Sequence, residues 1–288
     1  MRTELKKSFP PRLLLPTLGW LGFFFIIPLA IVLLYSFLKK GIYGGVEYEL
    51  NLTNYVRSTD FIYIRIFWSS LKLASFTTIS CFLIGYPMAY VMATSSKRVR
   101  SLLLMLVVIP FWTNFVVRAY ALKLMLAESG PINRWFLALG IIREAIPFAN
   151  TSFAVWMGMV TNYLPFMVLP LYVALEKFDF TLLEAAKDLG AKRTQILFKI
   201  LIPLTSAGIV AGIVFVFAPA MGEFVIPDLL GGARTMLIGN LITDQFLKTR
   251  NWPFGAALSM ILILSVMVCM GVYLKYEDVK PLQAKRKT

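Results

Sequence analysis

Charged residues are absent from six long stretches of the chain, and they cluster in the segments that separate those stretches. The uncharged windows cover residues 13–38, 73–96, 101–117, 145–175, 200–222 and 251–274. A membrane-spanning helix needs about 20 consecutive apolar residues, so the pattern predicts an all-α membrane protein with six transmembrane helices. The first window is too long for the apolar region of a cleaved signal peptide, and we expect it to be a permanent span.

The third window is the shortest of the six, with seventeen residues. Arg118 follows it directly, and an arginine at a helix end can extend its guanidinium to the membrane surface while its stem stays in the apolar region. We therefore expect the third span to end near Arg118, with the charge at the interface.

The composition supports a lipid environment for much of the chain. Hydrophobic residues make up 58% of it, charged residues only 15%, and the mean hydropathy is +0.73. Soluble domains are about 45–50% apolar and about 25% charged, so a soluble protein of this composition would expose a large apolar surface. The net charge of +14 does not indicate nucleic-acid binding, because basic residues collect on the cytoplasmic side of membrane proteins.

The distribution of Lys and Arg predicts the orientation. With the N-terminus inside, the inner segments hold four basic residues before the first span, three at 97–100, five at 177–199 and five from 275 onward, which is seventeen of the 29. The outer segments are longer and hold fewer. Both termini are therefore expected to be cytoplasmic.

Several chemistries lack the residues they need. The chain has no His and two Cys, Cys81 and Cys269, each inside an apolar stretch. No glycine is followed by lysine, so the phosphate-binding loop G-x-x-x-x-G-K-[ST] is missing. We therefore expect no enzyme activity and no cofactor on this chain, and we interpret both cysteines as buried structural thiols.

Prolines occur inside most of the windows. A helix breaker in lipid needs neighbouring groups or water to satisfy the freed backbone, so kinked spans favour a helix bundle that lines a pathway, with inert packing kinks as the alternative. The prolines are Pro28, Pro87, Pro110, Pro165, Pro170, Pro203 and Pro219.

The predicted cytoplasmic loop 176–203 has the clearest local signals. Thr181 and Glu184 have the spacing of a capping box, in which each side chain hydrogen-bonds the backbone amide of the other residue. Leu182, Leu183, Ala185, Ala186 and Leu189 would give the helix an apolar face. Gly190 would end the helix in a left-handed turn, and a second amphipathic stretch follows. The pattern predicts a helix–Gly–helix docking element or, alternatively, a surface helix resting on lipid headgroups.

The same loop resembles the EAA motif of ABC-importer permeases, written EAA-x3-G-x9-I-x-L-P. The chain has Glu184-Ala185-Ala186, then Gly190, then Ile200-Leu201-Ile202-Pro203, with Ile202 where the motif has Leu. The resemblance implies the type I importer permease (MetI-like) fold. It also implies that Glu184, Ala185, Ala186 and Gly190 couple the chain to a separate ATP-binding subunit.

Four further segments resemble the permeases of spermidine/putrescine importers. They are 110–120 (PFWTNFVVRAY), 164–172 (LPFMVLPLY), 222–232 (GEFVIPDLLGG) and 252–257 (WPFGAA). The resemblance implies a polyamine permease of the bacterial inner membrane, with a permease core at 67–275 that contains the coupling loop 176–203. The cytoplasmic N-terminus, first span and an outer segment would precede it at 1–66, and a basic cytoplasmic tail would follow at 276–288. The implied partners are an ATPase dimer that carries ATP and Mg, a second homologous permease, an extracytoplasmic polyamine-binding protein and the lipid bilayer, with no nucleic acid.

A polyamine is an elongated polycation, so its path should offer acidic groups and aromatic faces for cation–π contacts, each worth about 0.5–2 kcal/mol. The candidate path residues are Trp112, Asn114, Tyr120, Glu223 and Asp228. Each also has a structural alternative. The aromatic residues could belong to the interfacial belt, Glu223 could form a helix-end or loop salt bridge, and Asp228 could lie in the turn before Gly231.

Three other classes compete with this interpretation. A secondary transporter would carry ionisable groups inside its spans and internal repeats, and the six windows show neither. A membrane-embedded enzyme would need a cluster of acids, bases or metal ligands. An importer permease for another solute, such as sulfate or ferric iron, would share the coupling loop, so only the span signatures argue against it. Permeases for putrescine alone share much of the span pattern as well, so the preferred polyamine stays open.

Overall fold

The computed structural model describes residues 15–232 and 235–285, and within this part the chain is mostly helical. The basic segment before the first span and residues 286–288 of the predicted tail lie outside the described residues. The helices are α1 Leu15–Ser36, α2 Thr53–Ser58, α3 Phe61–Thr94, α4 Lys97–Trp112, α5 Phe115–Leu126, α6 Pro131–Ala138, α7 Ser152–Glu176, α8 Thr181–Asp188, α9 Arg193–Leu204, α10 Ser206–Met221, α11 Val225–Leu230, α12 Ile238–Leu247 and α13 Trp252–Lys285.

Four helices are individually long and apolar enough to cross a membrane: α1, α3, α7 and the Trp252–Gly271 part of α13. Two further candidates are bent pairs. The pair Lys97–Trp112 and Phe115–Ala138 bends by 97°, and the pair Arg193–Leu204 and Ser206–Met221 bends by 71°. Counting each bent pair as one span gives six, which agrees with the six windows.

The third span differs from the expectation. It does not end near Arg118 but breaks earlier, at Thr113 and Asn114, and the chain continues at a steep angle as α5. Arg118 therefore lies in the first turn of a new helix instead of at the end of an old one. Pro110 precedes the break, and the carbonyl of Pro110 accepts hydrogen bonds from both the amide and the hydroxyl of Thr113.

The prolines have two different outcomes. Pro165 and Pro170 lie inside α7, which remains one helix of 25 residues. Pro110, Pro203 and Pro219 each stand a few residues before a break in the helical path. At the second group the helical path itself is interrupted, so the backbone groups freed there need new partners beside the break.

The described part divides into two compact units. One consists of 15–61 and 242–263 and contains a two-stranded antiparallel sheet, β1 Leu38–Lys40 and β2 Val46–Leu50, with Lys40 opposite Val46. The sequence pattern predicted no strands, and this short hairpin is an addition to the predicted helical fold. In the same unit the Arg57 guanidinium lies 4.6 Å from the centre of the Phe254 ring.

The other unit consists of 62–241 and 264–285 of the described chain, and α7 and α10 form its core. Gly208 and Gly212 lie on the face of α10 that meets α7. A Cβ on Gly212 would come within 2.6 Å of the Met167 sulfur, and one on Gly208 within 2.8 Å of the Pro170 carbonyl oxygen. This small-xxx-small spacing lets two helices approach closely in a membrane, where packing replaces the hydrophobic effect as the driving force.

Candidate functional site

A cleft of about 790 Å³ opens where two helical breaks meet α7. One break lies between α4 and α5, and the other follows α10. The lining residues are Phe111, Trp112, Thr113, Asn114, Phe115, Arg118, Asn162, Tyr163, Phe166, Pro219, Gly222, Glu223, Phe224 and Val225. The breaks that follow Pro110 and Pro219 therefore supply most of the cleft wall.

Glu223 is the acidic residue of the cleft, and it is only 8% exposed. Its Oε1 accepts hydrogen bonds from the amides of Val225, at 2.9 Å, and Ile226, at 3.3 Å. Its Oε2 accepts a hydrogen bond of 2.5 Å from the Tyr163 hydroxyl. The carboxylate thus caps α11 and is held against α7 by hydrogen bonds, and the salt bridge expected as its structural alternative is not found among the described residues.

Asn114 and Trp112 lie on opposite sides of the first break. The Asn114 side-chain oxygen accepts hydrogen bonds from the Val116 and Val117 amides, at 2.8 and 3.4 Å, and so caps α5. Asparagine is among the preferred residues at this position. Trp112 is 85% exposed, which leaves its ring face available to a cation.

Two predicted path residues do not line the cleft. Tyr120 lies six residues beyond Asn114 on α5, which is about 9 Å along a helix axis. Asp228 is exposed on α11, beyond the turn that Glu223 caps. Of the five predicted path residues, the three that line this cleft are Trp112, Asn114 and Glu223.

Four polar residues of the cleft were not predicted as site residues: Thr113, Arg118, Asn162 and Tyr163. Asn162 is 7% exposed, and its Oδ1 has no hydrogen-bond partner among the described residues. Arg118 was assigned to the membrane surface, yet its Nε and Nη1 are buried and also lack partners there. Asn162 could have been predicted as a site residue, because an asparagine in the middle of an apolar span is costly to bury without a partner.

The loop after α7 contains the predicted helix, but it is capped differently. Asp179 Oδ1 accepts hydrogen bonds from the Thr181 amide, at 3.0 Å, and from the Thr181 hydroxyl, at 2.7 Å. The predicted capping box between Thr181 and Glu184 is therefore wrong. The carboxylate of Asp179 is a stronger acceptor than a hydroxyl, and these hydrogen bonds hold the pKa of Asp179 below its usual value.

The predicted turn at Gly190 is confirmed, with a φ of +78°. The predicted apolar face of α8 divides into two. Leu183 and Ala186 are buried within this chain, whereas Leu182, Ala185 and Leu189 are exposed. The exposed three are spaced at i, i+3 and i+7, so they share one face of the helix and form an exposed apolar stripe, with Glu184 also exposed beside it.

An ion pair joins the ends of the two helices that lead to the cleft. Arg100 near the start of α4 lies 2.9 Å from Glu176 at the end of α7, and the Tyr172 hydroxyl donates a 2.6 Å hydrogen bond to the same carboxylate. The loop at 95–100 and the start of loop 176–203 therefore lie on the same side of this unit.

These features define a class: a multi-span membrane permease with a polar cleft at its helix breaks and an exposed loop helix. The family described as binding-protein-dependent transport system inner membrane component matches residues 82–276, and the chain belongs to that family. It is a non-catalytic transport component of the inner membrane, as predicted.

Individual relatives agree with the family assignment. The chain is 44% identical over 267 residues to the spermidine/putrescine transport system permease protein PotB of Haemophilus influenzae, covering 93% of each chain. The fold is similar to that of a bacterial ABC transporter involved in alginate import, with a TM-score of 0.71, 18% identity and coverage of 93% and 94%. A second structure, of a bacterial alginate ABC transporter in complex with an alginate-pentasaccharide-bound periplasmic protein, gives a TM-score of 0.69, 17% identity and 90% coverage of each chain. The predicted importer-permease fold is confirmed.

Replacing Tyr163 by Phe should lower the thermal stability of the purified protein. The change removes a hydrogen bond to a buried carboxylate, which costs about 1–3 kcal/mol, and leaves Glu223 Oε2 unpaired. Tyr120→Phe is the matched control, because Tyr120 is half exposed and lies outside the cleft. Thermal unfolding of both variants in detergent measures the difference, and equal unfolding temperatures would contradict the Tyr163–Glu223 contact.

Proposed function

We propose that this chain is the permease subunit of an ATP-driven polyamine importer that carries spermidine and putrescine across the inner membrane. The observation that carries the proposal is the 44% identity to a spermidine/putrescine permease over 93% of both chains. The cleft supports it independently, because it combines a buried carboxylate, an exposed indole and two amide side chains. These groups suit ammonium groups on a flexible carbon chain.

The proposed complex contains an ATPase dimer that binds ATP and Mg, a second homologous permease and a periplasmic polyamine-binding protein. The exposed apolar stripe of α8 supports a docking role for this loop, since exposed apolar patches commonly mark protein contacts. Within the predicted coupling set, Glu184, Ala185 and Gly190 are exposed and available to a partner. Ala186 faces this chain and would instead hold α8 in place.

The coupling role predicts that the turn at Gly190 is needed for transport but not for insertion. Gly190→Val places a β-branched residue at a φ of +78°, which such residues avoid. We expect normal amounts of membrane protein, with uptake and ATPase association both strongly reduced. Gly190→Asn is the matched control, because Asn tolerates the left-handed region and should retain most activity. Wild-type uptake by Gly190→Val would remove loop 176–203 from the coupling role.

The proposed orientation has both termini and loop 95–100 in the cytoplasm. The Arg100–Glu176 ion pair supports a common side for loops 95–100 and 176–203. In protein lacking Cys81 and Cys269, an impermeant thiol reagent applied to intact cells should label a cysteine at Tyr48 but not one at Lys97. A cysteine at Trp135, an exposed residue of the predicted outer segment, should also be labelled. The opposite pattern would overturn the orientation and with it the coupling assignment.

The proposed path through the cleft predicts that Trp112→Leu and Glu223→Gln reduce polyamine uptake in assembled complexes. Loss of the cation–π contact in Trp112→Leu should weaken polyamine binding, and lower uptake at subsaturating polyamine, by about two- to thirtyfold. Glu223→Gln removes the charge but keeps an oxygen that can cap α11, so assembly should survive. The loss in Glu223→Gln should be greater for spermidine, which carries more ammonium groups, than for putrescine.

The matched controls for the path are Trp135→Leu and Asp228→Asn, since both residues are exposed and neither lines the cleft. Both controls should transport normally when uptake is divided by the amount of assembled complex. Unchanged normalised uptake in Trp112→Leu and Glu223→Gln would return these residues to interfacial and helix-capping roles. If the wild-type complex imports putrescine but not spermidine, the proposed substrate narrows to the diamine.

A further inference from the structure

The cleft contains a positive charge that a path for polycations would not be expected to hold. Arg118 and Glu223 are the charged side chains among its lining residues. Glu223 has three hydrogen-bond donors around it. Arg118 forms no salt bridge within the described part of the chain, and its buried Nε and Nη1 have no acceptor there.

A purely structural arginine would be expected to have its buried nitrogens paired. Arg118 is half-buried as a residue, its guanidinium stays charged, and leaving its buried N–H donors Nε and Nη1 unpaired is costly. The same cleft holds one buried acceptor that also lacks a partner, the Oδ1 of Asn162, on a side chain that is 93% buried. The cleft therefore presents an unpaired cation, an unpaired neutral acceptor and a carboxylate together.

The charges of Arg118 and Glu223 cancel, so the empty cleft is close to neutral. An ammonium group that approaches Glu223 gains attraction from the carboxylate and meets repulsion from the guanidinium. The repulsion matters for transport because a conducting site must bind its cargo well enough to admit it and weakly enough to release it. A lone buried carboxylate facing a polycation would satisfy only the first condition.

We propose that Arg118 is a resident cation that weakens polyamine binding in the cleft and so permits release. In this structure neither the buried Arg118 nitrogens nor the Asn162 Oδ1 has a partner among the described residues. An arriving ammonium can therefore bind the Asn162 oxygen and Glu223, in a cleft whose guanidinium repels it. Arg118 thereby determines how tightly the cleft holds a cation, while Glu223 and Trp112 determine that a cation is held at all. The inference rests on the proposed polyamine path.

The test replaces Arg118 by Met in the purified, assembled transporter. Two quantities are measured: equilibrium binding of radiolabelled spermidine to the complex without its binding protein, and uptake into proteoliposomes with saturating binding protein. Removing one unit charge close to the bound cation should tighten spermidine binding about tenfold and slow uptake several-fold. Arg118→Lys keeps the charge and should resemble the wild type in both measurements.

Two further variants complete the design. Arg118→Gln keeps hydrogen-bond donors without the charge, so it should behave like Arg118→Met even if the Met variant assembles poorly. Arg134→Met removes an exposed arginine on α6, outside the cleft, and should change neither quantity. Tighter binding together with slower uptake is not expected from a merely structural defect, which would lower uptake without strengthening binding.

Spermidine binding that is unchanged or weaker in assembled Arg118→Met and Arg118→Gln would overturn the inference. Failure of both variants to assemble would assign Arg118 a structural role and overturn it as well. A wild-type complex that neither binds nor imports spermidine would instead contradict the proposed function. The two failures are therefore distinguishable in one set of measurements.

Discussion

Backbone amides and carbonyls that enter the hydrocarbon core must find partners inside the protein, and the functional geometry of this chain depends on that constraint. Where the spans break, after Pro110 and after Pro219, the freed amides are satisfied by side chains. Asn114 caps the helix after the first break, and Glu223 caps the helix after the second. Irregular backbone at membrane depth is tolerated where it lines a cavity or is buried in protein. The groups that satisfy the breaks are consequently the groups that form the polar cleft.

The cleft and the loop helix are joined by two continuous helices. Helix α4 carries Arg100 near its start and Trp112 at its end, and α7 carries Asn162 and Tyr163 in its middle and Glu176 at its end. The Arg100–Glu176 ion pair fixes these helices to each other beside loop 176–203. Close packing of α7 against Gly208 and Gly212 adds a third helix to the same body.

The sequence was most informative where one residue type decides the outcome. Uncharged windows located the spans because charge is expensive in lipid, and Gly190 marked its turn because few other residues accept a positive φ. Capping was harder to predict. Thr181 had the spacing of a capping box, but Asp179 competed for the same amide, and only geometry could decide between them. The hairpin at 38–50 has no strong alternating pattern, so its short strands were not visible in the sequence.

For the cleft residues, too, the sequence shows the chemistry of a side chain but not its position. Trp112, Asn114 and Glu223 were predicted because they lie at breaks or carry suitable chemistry, whereas Tyr120 and Asp228 shared that chemistry but not the position. The uncharged window ends at Arg118, which predicts the end of a span there, whereas the helix ends before Thr113. The bend at Thr113 turned Arg118 into the cleft instead. Sequence spacing cannot reveal a bend of 97° between two apolar helices.

The most direct test of a polyamine path at the span breaks is thiol accessibility at Thr113, which lines the cleft. In assembled complex lacking Cys81 and Cys269, a cysteine at Thr113 should react with a hydrophilic thiol reagent, and spermidine should protect it. Met105 lies inside the uncharged window of α4 and outside the cleft. Its exposed side chain should therefore face lipid, so a cysteine there should react poorly and show no protection. Equal reactivity at the two positions, or reactivity at Thr113 that spermidine does not change, would contradict a polyamine path through this cleft.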